Sequence, residues 1–259
     1  MSDQRKIVIV GGVAGGASAA ARARRMNESA QIILLEKDEH ISFANCGLPY
    51  YVGGEIQDRE KLLVAKPAKF RDWFNIDVRP WNEAIAIDRD SEIVHVKSHQ
   101  SGESYELEYD KLILAPGASP IVPPIDGIRS SNVLTLRNVA DVDRIKAYID
   151  QAKPKRAAVI GAGYIGLEMV EMLRELSLDV ALIEKMPQVM PPLDAEMAHM
   201  VQVELQKHDV ELHLNNGLAG FDTDGDIARS VILEDGSLVE ADLIVLGICV
   251  KPNTKLAED

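Results

Sequence analysis

Cysteine is scarce in this chain: Cys46 and Cys249 are the only two among 259 residues. Two are too few for a disulfide framework and point to a reducing, cytoplasmic setting. Long apolar runs are missing as well. None reaches the ~20 residues that span a bilayer, so no membrane partner is expected. Positive charge is in deficit, with 28 Lys and Arg against 41 Asp and Glu and a net charge of −13. That balance excludes the basic surface nucleic acid requires, and leaves room only for a local basic cluster that holds a small anion. No metal site is expected. What is present is ordinary for a globular protein: 46% hydrophobic residues, and enough chain for one large α/β domain or two of usual size. Arg5-Lys6 and the stretch Ile7 to Ala21 imitate a secretion signal, but the stretch is glycine-rich and leads into a strand pattern. A nucleotide-binding fold accounts for those residues better.

One pattern occurs twice. KIVIVGGVAGGASAAARARRMNESAQIILLEKD covers 6–38, and RAAVIGAGYIGLEMVEMLRELSLDVALIEKM covers 156–186. Each passes from a β-branched run through a glycine-rich turn into an alanine- or leucine-rich helix. Each ends in a second apolar run closed by Glu-Lys, which reads as a strand, helix, strand unit.

The second copy is the stricter. Gly161, Gly163 and Gly166 form a full GxGxxG around Ala162, Tyr164 and Ile165, and Glu184 follows the last glycine by 18 residues. The first glycine makes the tight turn, the second lets backbone approach a pyrophosphate, and the third lets helix and strand pack closely. The acid then bonds a ribose hydroxyl. In the first copy Gly11, Gly12, Val13, Ala14 and Gly16 form a looser loop, with Val13 at the middle glycine position and Glu36 closing the second strand. Taken alone it fits a ligand-free βαβ unit equally well; the duplication favours an enzyme with two nucleotides. The expected fold class is α/β, with two Rossmann-like three-layer nucleotide-binding domains, each combining a parallel sheet and an antiparallel β-meander.

Segments 76–88, 92–98 and 105–117 alternate apolar and polar residues and read as strands, the last ending at the Ala115-Pro116-Gly117 turn. Segments 210–215 and 228–248 form an analogous series with a hairpin at Asp235-Gly236. Residues 121–127 read as a linker leaving the first domain, and Lys153 to Arg156 as the approach to the second.

Two nucleotide units and a cysteine soon after the first acid resemble the pyridine nucleotide-disulfide oxidoreductases. SFANCGLPY (42–50), GGVAGGASAAARARR, YDKLILAPGASP and GAGYIGLE are similar to the single-cysteine branch, above all to coenzyme A-disulfide reductases. The resemblance implies FAD on the first unit and NADH on the second, with NADPH possible. It assigns Gly11, Gly12, Val13, Ala14, Gly16, Glu36, Lys37, Ala115, Pro116 and Gly117 to the flavin. It assigns Gly161, Gly163, Tyr164, Ile165, Gly166, Glu168, Glu184, Lys185 and Gly247 to the nicotinamide nucleotide. Tyr164 matches a tyrosine that covers the flavin until NADH displaces it. Glu184 would repel a 2′-phosphate, which favours NADH, while the adjacent Lys185 weakens that preference.

Two-cysteine relatives carry thiols five positions apart; here those positions are Ile41 and Tyr51. The resemblance therefore implies that Cys46 forms a mixed disulfide with a substrate thiol, a coenzyme A disulfide or persulfide. Ser18, Arg22 and Arg25 share one helical face and match positions that hold the nucleotide end of coenzyme A; a solvated helix face is the plainer alternative. Ser42 and Asn45 match residues flanking the thiol end. NADH oxidases and peroxidases, which work through a cysteine sulfenic acid, carry a histidine where this chain has Ala14. A thiol-independent ferredoxin-reductase type also stays open. The expected domains are 1–118 (FAD), 119–249 (NAD(P)H) and 250–259, the start of a return to the FAD domain. The chain resembles the N-terminal part of a longer, homodimeric enzyme, and Cys249 is read as a structural strand-end residue.

Overall fold

The computed structural model describes residues 5–258. In chain order the first elements are β1 (Lys6–Val10), α1 (Ala14–Met26), β2 (Gln31–Leu35), α2 (Leu48–Gly53) and α3 (Pro67–Phe74). Next come β3 (Asp77–Arg79), β4 (Asn82–Asp88), β5 (Ile93–Ser98), β6 (Ser104–Glu108), β7 (Lys111–Leu114) and β8 (Ala118–Pro120). The middle of the chain holds β9 (Val133–Thr135), α4 (Val139–Ala152), β10 (Arg156–Ile160), α5 (Tyr164–Glu175), β11 (Asp179–Ile183) and α6 (Ala195–Lys207). The last are β12 (Glu211–His213), β13 (Leu218–Asp224), β14 (Ile227–Leu233), β15 (Leu238–Glu240), β16 (Leu243–Leu246), β17 (Val250–Pro252) and α7 (Lys255–Glu258).

The chain forms two compact units. One comprises residues 5–44, 60–119 and 252–258, the other 45–59 and 120–251. The first unit contains a parallel sheet in the order β3-β2-β1-β7 and an antiparallel meander β4-β5-β6. Side-chain alternation along β1 and β2 builds three layers. Ile9, Ile32 and Leu34 face the small residues Ala17 and Ala20 of α1, together with Phe70 and Ile76. Val8, Val10, Ile33 and Leu35 face Val94 and Val96 of the meander. Leu256 of α7 packs on that second cluster, so the chain's last described turn belongs to this unit.

The second unit repeats the plan with a parallel sheet β12-β11-β10-β16-β9 and a meander β13-β14-β15. Ala158, Ile160, Ala181, Ile183, Ile244 and Leu246 face Phe221, Val231, Leu233 and Val239 of its meander. The fold class is therefore the expected one: α/β, twice a parallel sheet with an antiparallel meander.

Several boundaries differ from the sequence reading. Segment 105–117 is two strands, because Tyr109 and Asp110 turn the chain between the meander strand β6 and the central-sheet strand β7. Segment 76–88 divides likewise: β3 extends the parallel sheet, and Trp81 at φ 61° turns the chain into β4. The strands β9 and β13 went unread; β13 alternates weakly, and most of it is exposed. Lys153 to Arg156 is no approach to a domain. It joins α4 to β10 inside the second unit, with Lys153 in the left-handed conformation at φ 49°. Residues 45–59 pack with the second unit because α2 buries Leu48 and Val52 and rests on α4 and α5. The hairpin at Asp235-Gly236 forms where expected, with Gly236 at φ 85°. Among the described residues, no helix is long and apolar enough to cross a membrane, and no cluster of His, Cys, Asp and Glu could hold a metal ion.

Candidate functional site: two glycine loops and a cysteine turn

In the first unit residues 11–13 connect β1 to α1, and two glycines of the motif are tightly enclosed. A Cβ on Gly16 would stand 1.7 Å from the Gly11 carbonyl oxygen, and one on Gly11, at φ 96°, would stand 2.0 Å from that of Ala115. Both positions are closed to any side chain. No side chain caps the N-terminus of α1, and no acid lies in its first turn. Such an end favours an anion. Ala14 is the exposed first residue of that helix.

Glu36 closes the arrangement from the end of β2. It is buried, and its two carboxylate oxygens accept from Gly12 N–H at 2.7 Å and Asp38 N–H at 3.0 Å. Burial raises its pKa, and the two backbone bonds only partly offset this. Lys37, next along, is exposed. On the other side Ala115 N–H donates to Val10 at 2.8 Å, and Gly117 turns at φ 69°. Asn253 fastens that turn: its N–H donates to Gly117 O and its Nδ2 to Pro116 O, both at 3.0 Å. The sequence reading missed Asn253, whose only signal is the Pro252-Asn253-Thr254 turn.

Ser18, Arg22 and Arg25 are all exposed on α1, as their spacing predicts. Arg24 between them differs. It is buried and donates to the carbonyls of Asn27, Glu28, Phe74 and Asn75, which ends α1 and ties down α3. Ser42, at φ 48°, is half-buried, and its N–H donates to Gly12 O at 3.0 Å.

The second unit's loop has the same construction. A Cβ on Gly166 would meet the Gly161 carbonyl oxygen at 1.9 Å, and one on Gly161, at φ 103°, would meet that of Gly247 at 2.5 Å. Gly163 has open space where its side chain would be. The N-terminus of α5 has no side-chain cap and no acid in its first turn, and Tyr164 and Ile165 stand exposed there. Glu184 is buried, and its carboxylate accepts from Ala162 N–H at 2.7 Å and Met186 N–H at 2.8 Å. Lys185 is exposed and pairs with Glu234.

Cys46 lies in the second unit, exposed, on a single 3-10 turn formed by Asn45, Cys46 and Gly47. Pro49 in the first turn of α2 favours the helix start, and Gly54 at φ 89° stops it. Gly53 lets α2 approach α5 closely, because a Cβ there would stand 2.5 Å from the Met172 sulfur. Arg59 makes a two-pronged pair with Asp143 (2.9 and 2.7 Å), Lys146 Nζ reaches Tyr51 O at 3.1 Å, and Arg137 Nη1 reaches Asn45 Oδ1 at 3.4 Å. All three fasten the cysteine segment to α4 or to the turn before it.

The surroundings of Tyr50, four residues after Cys46, are acidic. Glu168, half-buried, has its pKa raised by burial and then by Glu171. The Tyr50 phenol, which the sequence reading did not single out, is raised first by Glu168, so it stays protonated well beyond neutral pH. Cys249 corrects its expected structural role. It is an exposed free thiol in the loop after β16 at φ 119°, because the buried strand ends at Leu246.

The family model for pyridine nucleotide-disulphide oxidoreductases matches residues 5–259. The chain belongs to that family. The chain is similar to the coenzyme A disulfide reductase of Staphylococcus haemolyticus strain JCSC1435, 38% identical over 98% of this chain and 56% of the relative. Reduced CoADR-RHD of Bacillus anthracis superposes with a TM-score of 0.95 at 50% identity, covering 98% of this chain and 45% of that one. A NAD-dependent persulfide reductase from A. fulgidus gives 0.93 at 36% identity, covering 98% and 47%. The chain thus spans about half the length of the family members it matches.

Proposed function

We propose that this chain is the nucleotide-binding and thiol-bearing part of an FAD-dependent NAD(P)H:disulfide oxidoreductase that reduces coenzyme A disulfide or coenzyme A persulfide. The observation that carries the proposal is Cys46: an exposed thiol on a fastened turn, with no second cysteine between 42 and 51. Its partner sulfur comes with the substrate.

The residues of the first unit fit FAD. The closed glycines at 11 and 16, the uncapped start of α1 and the buried Glu36 form a cradle for a pyrophosphate and a ribose. Lys37, Ala115, Pro116 and Gly117 complete its rim. Gly161, Gly163, Gly166, Gly247 and Glu184 fit NAD(P)H in the second unit in the same way. Each carboxylate accepts two backbone bonds yet keeps lone pairs for a ribose hydroxyl. FAD, when bound, accepts a hydride from NAD(P)H and passes two electrons to a disulfide.

The chain's own residues do the rest. Cys46 as thiolate attacks one sulfur of coenzyme A disulfide, forming the Cys46–S–S–CoA bond and releasing one coenzyme A thiolate. Two electrons from NADH then cleave that bond, and the uptake of one proton gives the second coenzyme A thiol and the Cys46 thiolate. A persulfide follows the same balance, with hydrosulfide as one product. Arg22 and Arg25 suit the phosphates of coenzyme A, with Ser18 on the same helical face. Tyr50, kept protonated, can donate a hydrogen bond beside the thiol. We read the whole enzyme as a cytoplasmic homodimer acting on a small molecule.

The test is turnover of coenzyme A disulfide by the whole enzyme with NADH. Cys46→Ser should remove it entirely while bound FAD still accepts electrons. Full retention by that variant would favour a thiol-independent electron carrier reductase. Oxygen reduction that outruns every disulfide would favour the oxidase.

A further inference from the structure

The turn after β14 carries a residue that neither the glycine pattern nor the strand-end acid announces. Glu234 Oε1 lies 2.8 Å from Nζ of Lys185, the residue directly after the ribose acid Glu184. The segment 215–217 holds both partners in place. Asn215 N–H donates to Met186 O at 2.9 Å, and Asn216 N–H donates to Glu184 O at 3.1 Å. From the other side, Glu234 N–H donates to Gly217 O at 2.9 Å and Asp235 N–H to Asn216 Oδ1 at 3.2 Å. A Cβ on Gly217 would stand 3.0 Å from the Glu234 carboxyl carbon, so the glycine keeps that space for the carboxylate. The bond raises the lysine pKa and lowers the glutamate pKa, so both stay charged.

A 2′-phosphate adds about two negative charges at the position where a 2′-hydroxyl would meet Glu184. The cation beside Glu184 in sequence is Lys185, and it is already neutralised. We propose that Glu234 is a specificity-determining residue: by holding Lys185, it keeps the second nucleotide site selective for NADH over NADPH. The inference rests on reading the second unit as the NAD(P)H site. It explains why a lysine next to the ribose acid need not confer NADPH use.

The test is calorimetric titration of NAD⁺ and NADP⁺ into the 259-residue chain, as wild type, Glu234→Gln, Lys185→Gln and the double variant. Because the pair is exposed, the expected change is modest. Glu234→Gln shifts the ratio of NADP⁺ to NAD⁺ affinity about three- to fivefold toward NADP⁺, and the shift shrinks as salt rises. The double variant loses the gain. An unchanged ratio in Glu234→Gln, or the same gain without Lys185, overturns the role of Glu234 while wild-type NAD⁺ binding still supports the site. Wild type that binds neither nucleotide overturns the reading of the unit itself, and the inference with it.

Discussion

Gly16 and Gly166 each lie against the carbonyl oxygen of the motif's first glycine, Gly11 and Gly161, and neither has room for a methyl group. Gly166→Ala is expected to cost more than about 3 kcal/mol of stability, read from denaturant unfolding, because backbone would have to move. Glu36 makes a different prediction. Its pKa in the folded chain lies above the usual 4.5, so its contribution is fully present below that pH and is lost as pH rises through the raised value. Relative to Glu36→Gln, wild type should therefore lose stability on passing from acid to neutral pH. Unfolding curves of the two proteins across that range check the sign. Both glutamates were legible in the sequence, because a strand-end acid after a glycine loop is a spaced pattern. Their bonds back to the loop amides were not, since contacts across 22 and 24 residues depend on how the strands align. Arg24 was hidden for a similar reason: on a helix with Arg22 and Arg25, only packing reveals which arginine turns inward.

The element that most constrains Cys46 is α2, six residues long and too short to hold its shape alone. It depends on Leu48 and Val52 below it and on the Arg59–Asp143 pair in the chain that follows it. Leu48→Ala is expected to cost about 2–4 kcal/mol, and Asp143→Ala less than about 1 kcal/mol because that pair is partly exposed. Both should speed hydrogen exchange at residues 48–53 and speed alkylation of Cys46, with Leu48→Ala the larger. Unchanged exchange in Leu48→Ala would show that the segment is held by something else. Sequence periodicity found the repeated strand, helix, strand units because their apolar runs are long and bounded by glycine. It failed at residues 105–117, where β6 and β7 share one alternating pattern while belonging to different sheets. It also placed Cys249 at a packed strand end, although the apolar run Leu243–Leu246 ends three residues before it.

At the scale of the whole molecule, the duplication gives two glycine loops on parallel sheets and one exposed cysteine turn in a chain about half as long as its relatives. The two sheets and the family were legible because the motif occurs twice with the cysteine segment between. The assignment of residues 45–59 to the second unit was not, since α2 is short and its partners, Met172 and Asp143, are more than 80 residues away. In the proposed chemistry Cys46 takes its second sulfur from coenzyme A. The most direct measurement is the intact mass and peptide map of the chain after exposure to coenzyme A disulfide. One coenzyme A moiety is expected on Cys46, removed by a reducing thiol and absent from Cys46→Ser. Modification of Cys249 alone, or a Cys46 that stays unmodified while free disulfide remains, would contradict it.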